Sequence, residues 1–392
     1  MPVITLVDIR RRRSEPRRAL SPPLIPCIGI FDCADARRRC IVKPTRAAAG
    51  TNGATMHQES GDPGRPTRDP ARLDRADPAG EVARSAQAYR NWDRWGDDDR
   101  LGTANLIQDS DRANAARLVR RGAAFSLSQA FDEHGPQIGW RRRTNPIHTM
   151  LDTGLDAEFG DQGFPHGLGG ADDVVSLPLQ ASTQWDGLGH IFDRGRSWNG
   201  RPAGTAVTSE GDQFTGIEHM AAALTGRGVL LDVGAHLGDA GELPDGFAIT
   251  GDHLDATIAA QGATAAVGRG DLVLVRTGRL TRARREGWNG YAGGPSAGLS
   301  FTSAGWLHEH DIAAVATDTW GFEVRPNEFD EAFQPLHQIA IPNMGLTIGE
   351  LWDLDALAVD CAADGIWEFL LVAAPIPFTG AVGAPVNPIA LK

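Results

Sequence analysis

Gln184, Asp186 and His190 are the residues whose types and spacing most directly suggest chemistry in this chain. Gln184 and Asp186 stand two apart, so on an extended backbone both side chains leave the same face. Gly187 and Gly189 allow the sharp bend that returns His190 to that face. A carboxylate and an imidazole held this way suit a divalent metal, because both are common ligands. The same residues also suit a Gly-rich turn with its polar groups in solvent.

The elements that would position them can be read along the chain. Val174-Val175-Ser-Leu-Pro-Leu179 alternates as a strand and leads into the stretch. Residues 125–129, 228–234, 270–278 and 312–317 read as further strands. Residues 109–121 carry an apolar stripe of Ala113, Ala116, Leu118 and Val119 and predict a helix. Thr215 with Glu218 predicts a capped helix, Thr250 opens another, and residues 300–310 are helical. Short buried strands alternating with helices indicate an α/β domain. Residues 132–172, rich in Gly, Pro and Arg, read as a long loop, and such loops are usually lids or binding loops. His148, His166 and Arg141–Arg143 in it could reach a substrate carboxylate, although solvation is the commoner fate of such residues. Trp92 and Trp95 predict a segment pinned to the core.

Composition narrows the function. The chain has 392 residues, 41% hydrophobic and 22% charged, which is a globular mixture. A net charge of −12 argues against a nucleic-acid surface. No apolar run is long enough to cross a bilayer, and Cys27, Cys33, Cys40 and Cys361 form no zinc or disulfide pattern. Cys361 reads as a core residue, and a reducing, cytoplasmic setting is the expectation. Ten Arg and one Lys against four acids in residues 1–50 mark residues 1–80 as a disordered basic tail, with a single domain over 85–392. Neither a phosphate-binding Gly loop nor a Gly-x-Ser-x-Gly elbow occurs, which leaves metal chemistry or binding.

One carboxylate and one His do not hold a metal alone. His337 and Glu350 could complete the set, yet Thr347 and Glu350 have capping-box spacing, and His337 reads equally well as a satisfied core histidine.

The segment 180–192 resembles the signature His-x-Gly-Thr-His-x-Asp-x-Pro-x-His-Phe of the cyclase family of metal-dependent hydrolases, which includes bacterial kynurenine formamidase and isatin hydrolase. Thr183, Asp186 and His190 match it; Gln180, Ser182, Gln184, Leu188 and Ile191 depart from it. Segments 91–107, 271–278 and 369–377 also look like the family, in its order. The resemblance implies an α/β fold with a mixed β-barrel-like core and surrounding helices, a swivelling fold of the kynurenine formamidase type. It implies that Gln184, Asp186, His190, His337 and Glu350 gather at one divalent metal, with His190, His337 and Glu350 in the catalytic roles of base, ligand or proton donor. The resemblance implies one divalent metal, Mn or Zn, with Gln184 a weak ligand; a Gln carbonyl suits Mn, Mg or Ca better than Zn. The implied activity is hydrolysis of a small cyclic amide, aryl formamide or lactone by a homo-oligomer, dimer or tetramer, acting on neither nucleic acid nor membrane. Two rivals are a ring-closing or dehydrating enzyme of polyketide type and a binding protein that has lost its metal. Trp185 is expected in the core or at a subunit contact, and Trp306, Trp320 and Phe322 in the core or a pocket wall.

Overall fold

A computed structural model describes residues 66–392. Most of the expected basic tail lies outside the described residues. Its last part does not: Pro70–Arg72 forms a 3-10 turn, and Pro78–Ala88 is a helix that starts within the range expected to be tail. Asp77 caps that helix by accepting from Gly80 N at 2.9 Å.

Nine strands form one curled, half-barrel sheet. In chain order they are β1 (Ala124–Ser126), β2 (Gln184–Asp186), β3 (Thr225–Asp232), β4 (Leu272–Arg276), β5 (Ala314–Thr317), β6 (Thr347–Glu350), β7 (Glu368–Val372), β8 (Gly383–Pro385) and β9 (Ile389–Leu391). Across the sheet the order is β1-β9-β7-β3-β4-β5-β6-β2-β8. β3, β4, β5 and β6 run parallel, and the strands on either side of that group pair antiparallel. Composition explains the division. Leu272–Arg276 and Ala314–Thr317 are buried at every position, as strands covered on both faces must be. Glu368–Val372 instead alternates between buried and half-buried residues.

The helix opened by Thr250 spans Gly251–Gln261, with the Thr250 hydroxyl accepting from His253 N. Residues 301–309 are helical, and Cys361 is buried in the helix Asp355–Asp364. Trp185 lies on the opposite side of β2 from Asp186, fully buried. Its indole N–H donates to Ala373 O at 2.7 Å, and its ring meets that of Trp352 edge-on at 4.7 Å. Trp92 N–H donates to Pro342 O at 2.7 Å, pinning the irregular 91–107 segment.

Gly349 shows how tightly this layer is packed. A Cβ there would lie 2.6 Å from Ala316 Cβ, 2.7 Å from Trp352 Nε1 and 2.9 Å from Trp185. Gly349→Ala is therefore expected to destabilise by about 1–3 kcal/mol. Chemical denaturation checks this, and an unchanged midpoint would mean that the two indoles can move aside.

Four expectations differ from the structure. Thr215 and Glu218 open no α-helix: the Thr215 hydroxyl donates to Asp212 at 2.7 Å and Glu218 accepts from Gly380 N, so only a 3-10 turn, Ile217–Met220, forms. The helix at residue 109 ends at Ala116 and buries Ala115 rather than the expected stripe. Residues 172–176 pair not with the signature strand but with Ile147–Asp152, and a short helix, Gly154–Phe159, intervenes, so residues 132–172 are not one loop. Most side chains of this arm are exposed, Phe159 at 72% and Leu151 at 64% among them, and His148 pairs across it with Asp173. Thr347–Glu350 is a strand instead of a helix cap; hydrogen bonding to β5 on one side and β2 on the other overrides the local capping pattern. No helix among the described residues is long and apolar enough to cross a membrane.

Candidate metal centre

Strand register assembles the centre. β2 lies between β6 and β8, with Gln184 opposite Glu350 and Asp186 opposite Ile348. Cross-strand partners share a face, so Gln184, Asp186 and Glu350 project together. Gln184 Nε2 donates to Glu350 Oε2 at 3.0 Å. His337 comes from the short helix Pro335–Ile339, and its Nε2 lies 3.1 Å from Glu350 Oε1. Asp186, His337 and Glu350 each offer a ligand atom, all within 4.8 Å of one another. All four residues are almost wholly buried.

His190 stands beside this cluster. Gly187 and Gly189 turn the chain so that His190 Nε2 lies 3.7 Å from Asp186 Oδ2. Gly189 is required there, because a Cβ would fall 2.0 Å from Asp212 Oδ2. The His190 side chain is 12% exposed, more open than the carboxylates and His337. Gln180, at the signature's first His position, reaches the neighbouring strand: a Cβ on Gly383, which pairs with Asp186, would lie 2.8 Å from Gln180 Nε2.

Glu323 is a site residue that the sequence did not mark. It accepts from Leu336 N and His337 N, each at 3.1 Å, and makes a short hydrogen bond to His337 Nδ1. That bond directs His337 Nε2 at Glu350. Phe322 N donates to Glu350 Oε1 at 3.1 Å, and the Phe322 ring meets the imidazole edge-on. Glu323 sits in the loop after β5 within no motif, so only its burial betrays it.

Burial governs the charges. It pushes the Asp186 carboxyl up to about 7, helped by the charge of Glu350 and opposed by Arg143, His337 and Arg141. Burial, together with Arg143, His337 and Arg141, pushes His190 down to about 3. For His337 burial favours the neutral ring, but hydrogen bonds and charge from Glu323 and Glu350 outweigh it and raise the imidazole to about 10. Asp186 Oδ1 and Gln184 Oε1 are buried without a hydrogen-bond partner. Gln184 Oε1 beside the ligand-type atoms of Asp186, His337 and Glu350 completes a donor set that fits a hard or borderline divalent cation.

Comparison with known proteins identifies the family and the fold. Residues 125–324 match the model of the Cyclase family; Asp186 and His190 fall inside that match, His337 and Glu350 beyond it. A crystal structure described as a novel cyclase is 36% identical, with a TM-score of 0.70, over 78% of this chain and 99% of its own. Isatin hydrolase A from Ralstonia solanacearum is 16% identical with a TM-score of 0.51, over 71% of this chain and 94% of its own. An isatin hydrolase bound to the product analogue thioisatinate is 16% identical with a TM-score of 0.50, over 73% and 99%. No curated protein matches. The isatin hydrolases share the fold; the family model and the 36% identical cyclase carry the assignment, and the chain belongs to the Cyclase family.

Proposed function

We propose that the chain is a metal-dependent hydrolase that cleaves a cyclic amide, an aryl formamide or a lactone. The observation that carries this reading is the convergence of Asp186, His337 and Glu350 from three separate elements, with Gln184 Oε1 unpartnered beside them. Asp186, Glu350 and His337 would hold the cation, Mn or Zn, with Gln184 as a weaker donor. When bound, the cation lowers the pKa of water and offsets the charge of a tetrahedral oxyanion. The chain supplies the rest. Glu323 fixes the ring of His337. His190, kept neutral by burial, can take a proton at Nε2, and its low pKa makes it a transient carrier that passes the proton to the leaving group. The isatin hydrolases among the structural relatives lend support to hydrolysis as the reaction class.

Metal analysis of protein purified without chelator, followed by turnover in oxygen-labelled water, tests the proposal. Bound metal and one label per product are expected. Ring closure or dehydration would leave the label in the solvent. Metal uptake should also weaken as pH falls, because Asp186, raised to about 7, and His337, raised to about 10, must both lose a proton to bind. Titration with Mn at pH 6 and pH 8 checks this; equal affinities would argue against Asp186 as a ligand.

One observation favours a metal-free binding protein instead. Both Glu350 oxygens already accept hydrogen bonds, from Gln184, Phe322 and His337, a network that closes without a cation. Protein that stays metal-free in the presence of Mn and Zn would decide for it.

A further inference from the structure

A second group of side chains, a turn of arginines packed on an aromatic wall, lies next to the centre. Residues 139–143 fold back on themselves, with Gly139 N donating to Arg143 O at 3.0 Å and Arg143 N to Trp140 O at 3.1 Å. Arg141 and Arg142 both hold positive φ, 53° and 64°, a conformation that side-chain-bearing residues rarely adopt and that clusters at functional sites. The turn sets Trp140 against Trp320 at 5.1 Å and Phe333 at 5.6 Å. Three guanidiniums face this aromatic wall: Arg143 over Trp320, Arg141 over Phe333, and Arg325 over both Trp140 and Phe333, at 5.5–5.9 Å.

These arginines differ from others in the fold. Arg227, Arg276, Arg284 and Arg285 each bond two carboxylates. Arg141, Arg143 and Arg325 form no ion pair with any described residue. In a chain with 50 acidic residues against 38 basic, three guanidiniums gathered without an ion-pair partner make a group suited to an anion.

Space and position complete the picture. A cavity of about 480 Å³ is lined by Arg325, Phe333, Phe329, Asn327 and Asp330, the last being its one acidic group. Trp140 packs over Gly293 at its rim, where a Cβ would be 3.6 Å from the indole. On the other side the wall abuts the centre. Gln137 accepts from Trp320 Nε1 and donates to Ala181 O at 2.8 Å, tying the arginine turn to the start of the signature. A Cβ on Gly321, next to Trp320, would lie 3.9 Å from Glu350 Oε1. The charges of Arg141 and Arg143 also act on Asp186 and His190.

We propose that Arg141 and Arg143, with the wall of Trp140, Trp320 and Phe333, bind the carboxylate of a planar aryl acid beside the candidate metal centre. Arg forks match carboxylate oxygens, and the exposed rings of Trp140 and Phe333, backed by the buried Trp320, offer flat surface to a ring. The proposal extends the hydrolase reading, for which it supplies a substrate class, but the binding itself requires no metal.

The test is tryptophan fluorescence of the full chain titrated with benzoate and with benzamide, its neutral isostere. Benzoate should quench saturably and benzamide should bind at least tenfold more weakly. The double variant Arg141→Gln/Arg143→Gln should weaken benzoate at least tenfold and leave benzamide unchanged. Arg142→Gln, which removes a charge outside the stacking, should change neither. Asp186→Ala should keep benzoate binding, which separates this proposal from the metal reading: a metal-free protein that still binds benzoate supports the one and removes the other. Equal binding of acid and amide would overturn the proposal, as would an equal loss in Arg142→Gln. Loss in Asp186→Ala with normal binding in the double variant would move the carboxylate onto the centre and overturn it as well.

Discussion

Asp186→Ala and Glu350→Ala should each abolish metal retention, but with opposite consequences for the empty fold. Each removes an anionic donor from a set of three, and losing one such ligand should weaken binding by at least 100-fold, enough to strip the metal on dialysis. Asp186 contributes little else: its Oδ1 has no hydrogen-bond partner, and its buried charge is disfavoured. Asp186→Ala should therefore melt within a few degrees of the metal-free parent. Glu350 accepts from Gln184 Nε2, Phe322 N and His337 Nε2; alanine strands the first two in a dry interior and leaves His337 Nε2 only Gln334 at 3.3 Å. At about 1–3 kcal/mol for each buried group left unpaired, Glu350→Ala should lose several kcal/mol. Metal analysis after dialysis and thermal melts of the metal-free proteins check both halves. Stoichiometric metal and full turnover in both variants would end the metal assignment.

Glu323→Ala carries the second large effect. The carboxylate holds two backbone N–H groups and the imidazole, and both it and His337 are about 3% exposed or less. Breaking a buried pair of this kind costs about 3–5 kcal/mol. For a domain of this size that is a fall of roughly 6–10 °C in Tm. The effect on the centre is separable. Without its partner at Nδ1 the ring of His337 is free to turn, and losing such an outer partner typically costs 10–100-fold in metal affinity. Glu323→Gln keeps the shape but has one acceptor oxygen where the carboxylate uses two, so it should regain only part of the stability and part of the affinity. A fall in Tm with unchanged Mn affinity would make Glu323 a structural residue and nothing more.

The sequence and the structure agree where one physical signal dominates. Period-two spacing put Gln184 and Asp186 on one face, and so they lie. Residues 270–278 and 312–317 read as buried strands because unbroken apolar runs leave little else to form, and Leu272–Arg276 and Ala314–Thr317 are such strands. Thr250 caps a helix as its spacing suggested. The departures occur where local pattern and distant pairing compete. Thr347 and Glu350 satisfy a capping rule, yet Glu350 meets Gln184 across 166 residues of chain, and that pairing is invisible in a local window. Val174 and Val175 read as part of a strand, but their partner, Ile147–Asp152, is exposed along nearly all its length and carried no burial pattern to mark the pairing. Glu323 was illegible for a simpler reason: one acid in a loop looks like any other until its burial is known.

The three-residue strand bearing Gln184 and Asp186 is clamped between neighbours on both edges. Successive residues of a strand point to opposite sides, so a slip of a single position would swing the Trp185 indole into the centre and drive both polar side chains into the hydrophobic layer. No intermediate placement exists between those arrangements. The backbone under the two side chains thus has one register to occupy, and a cation held there would have to suit the spacing that register sets.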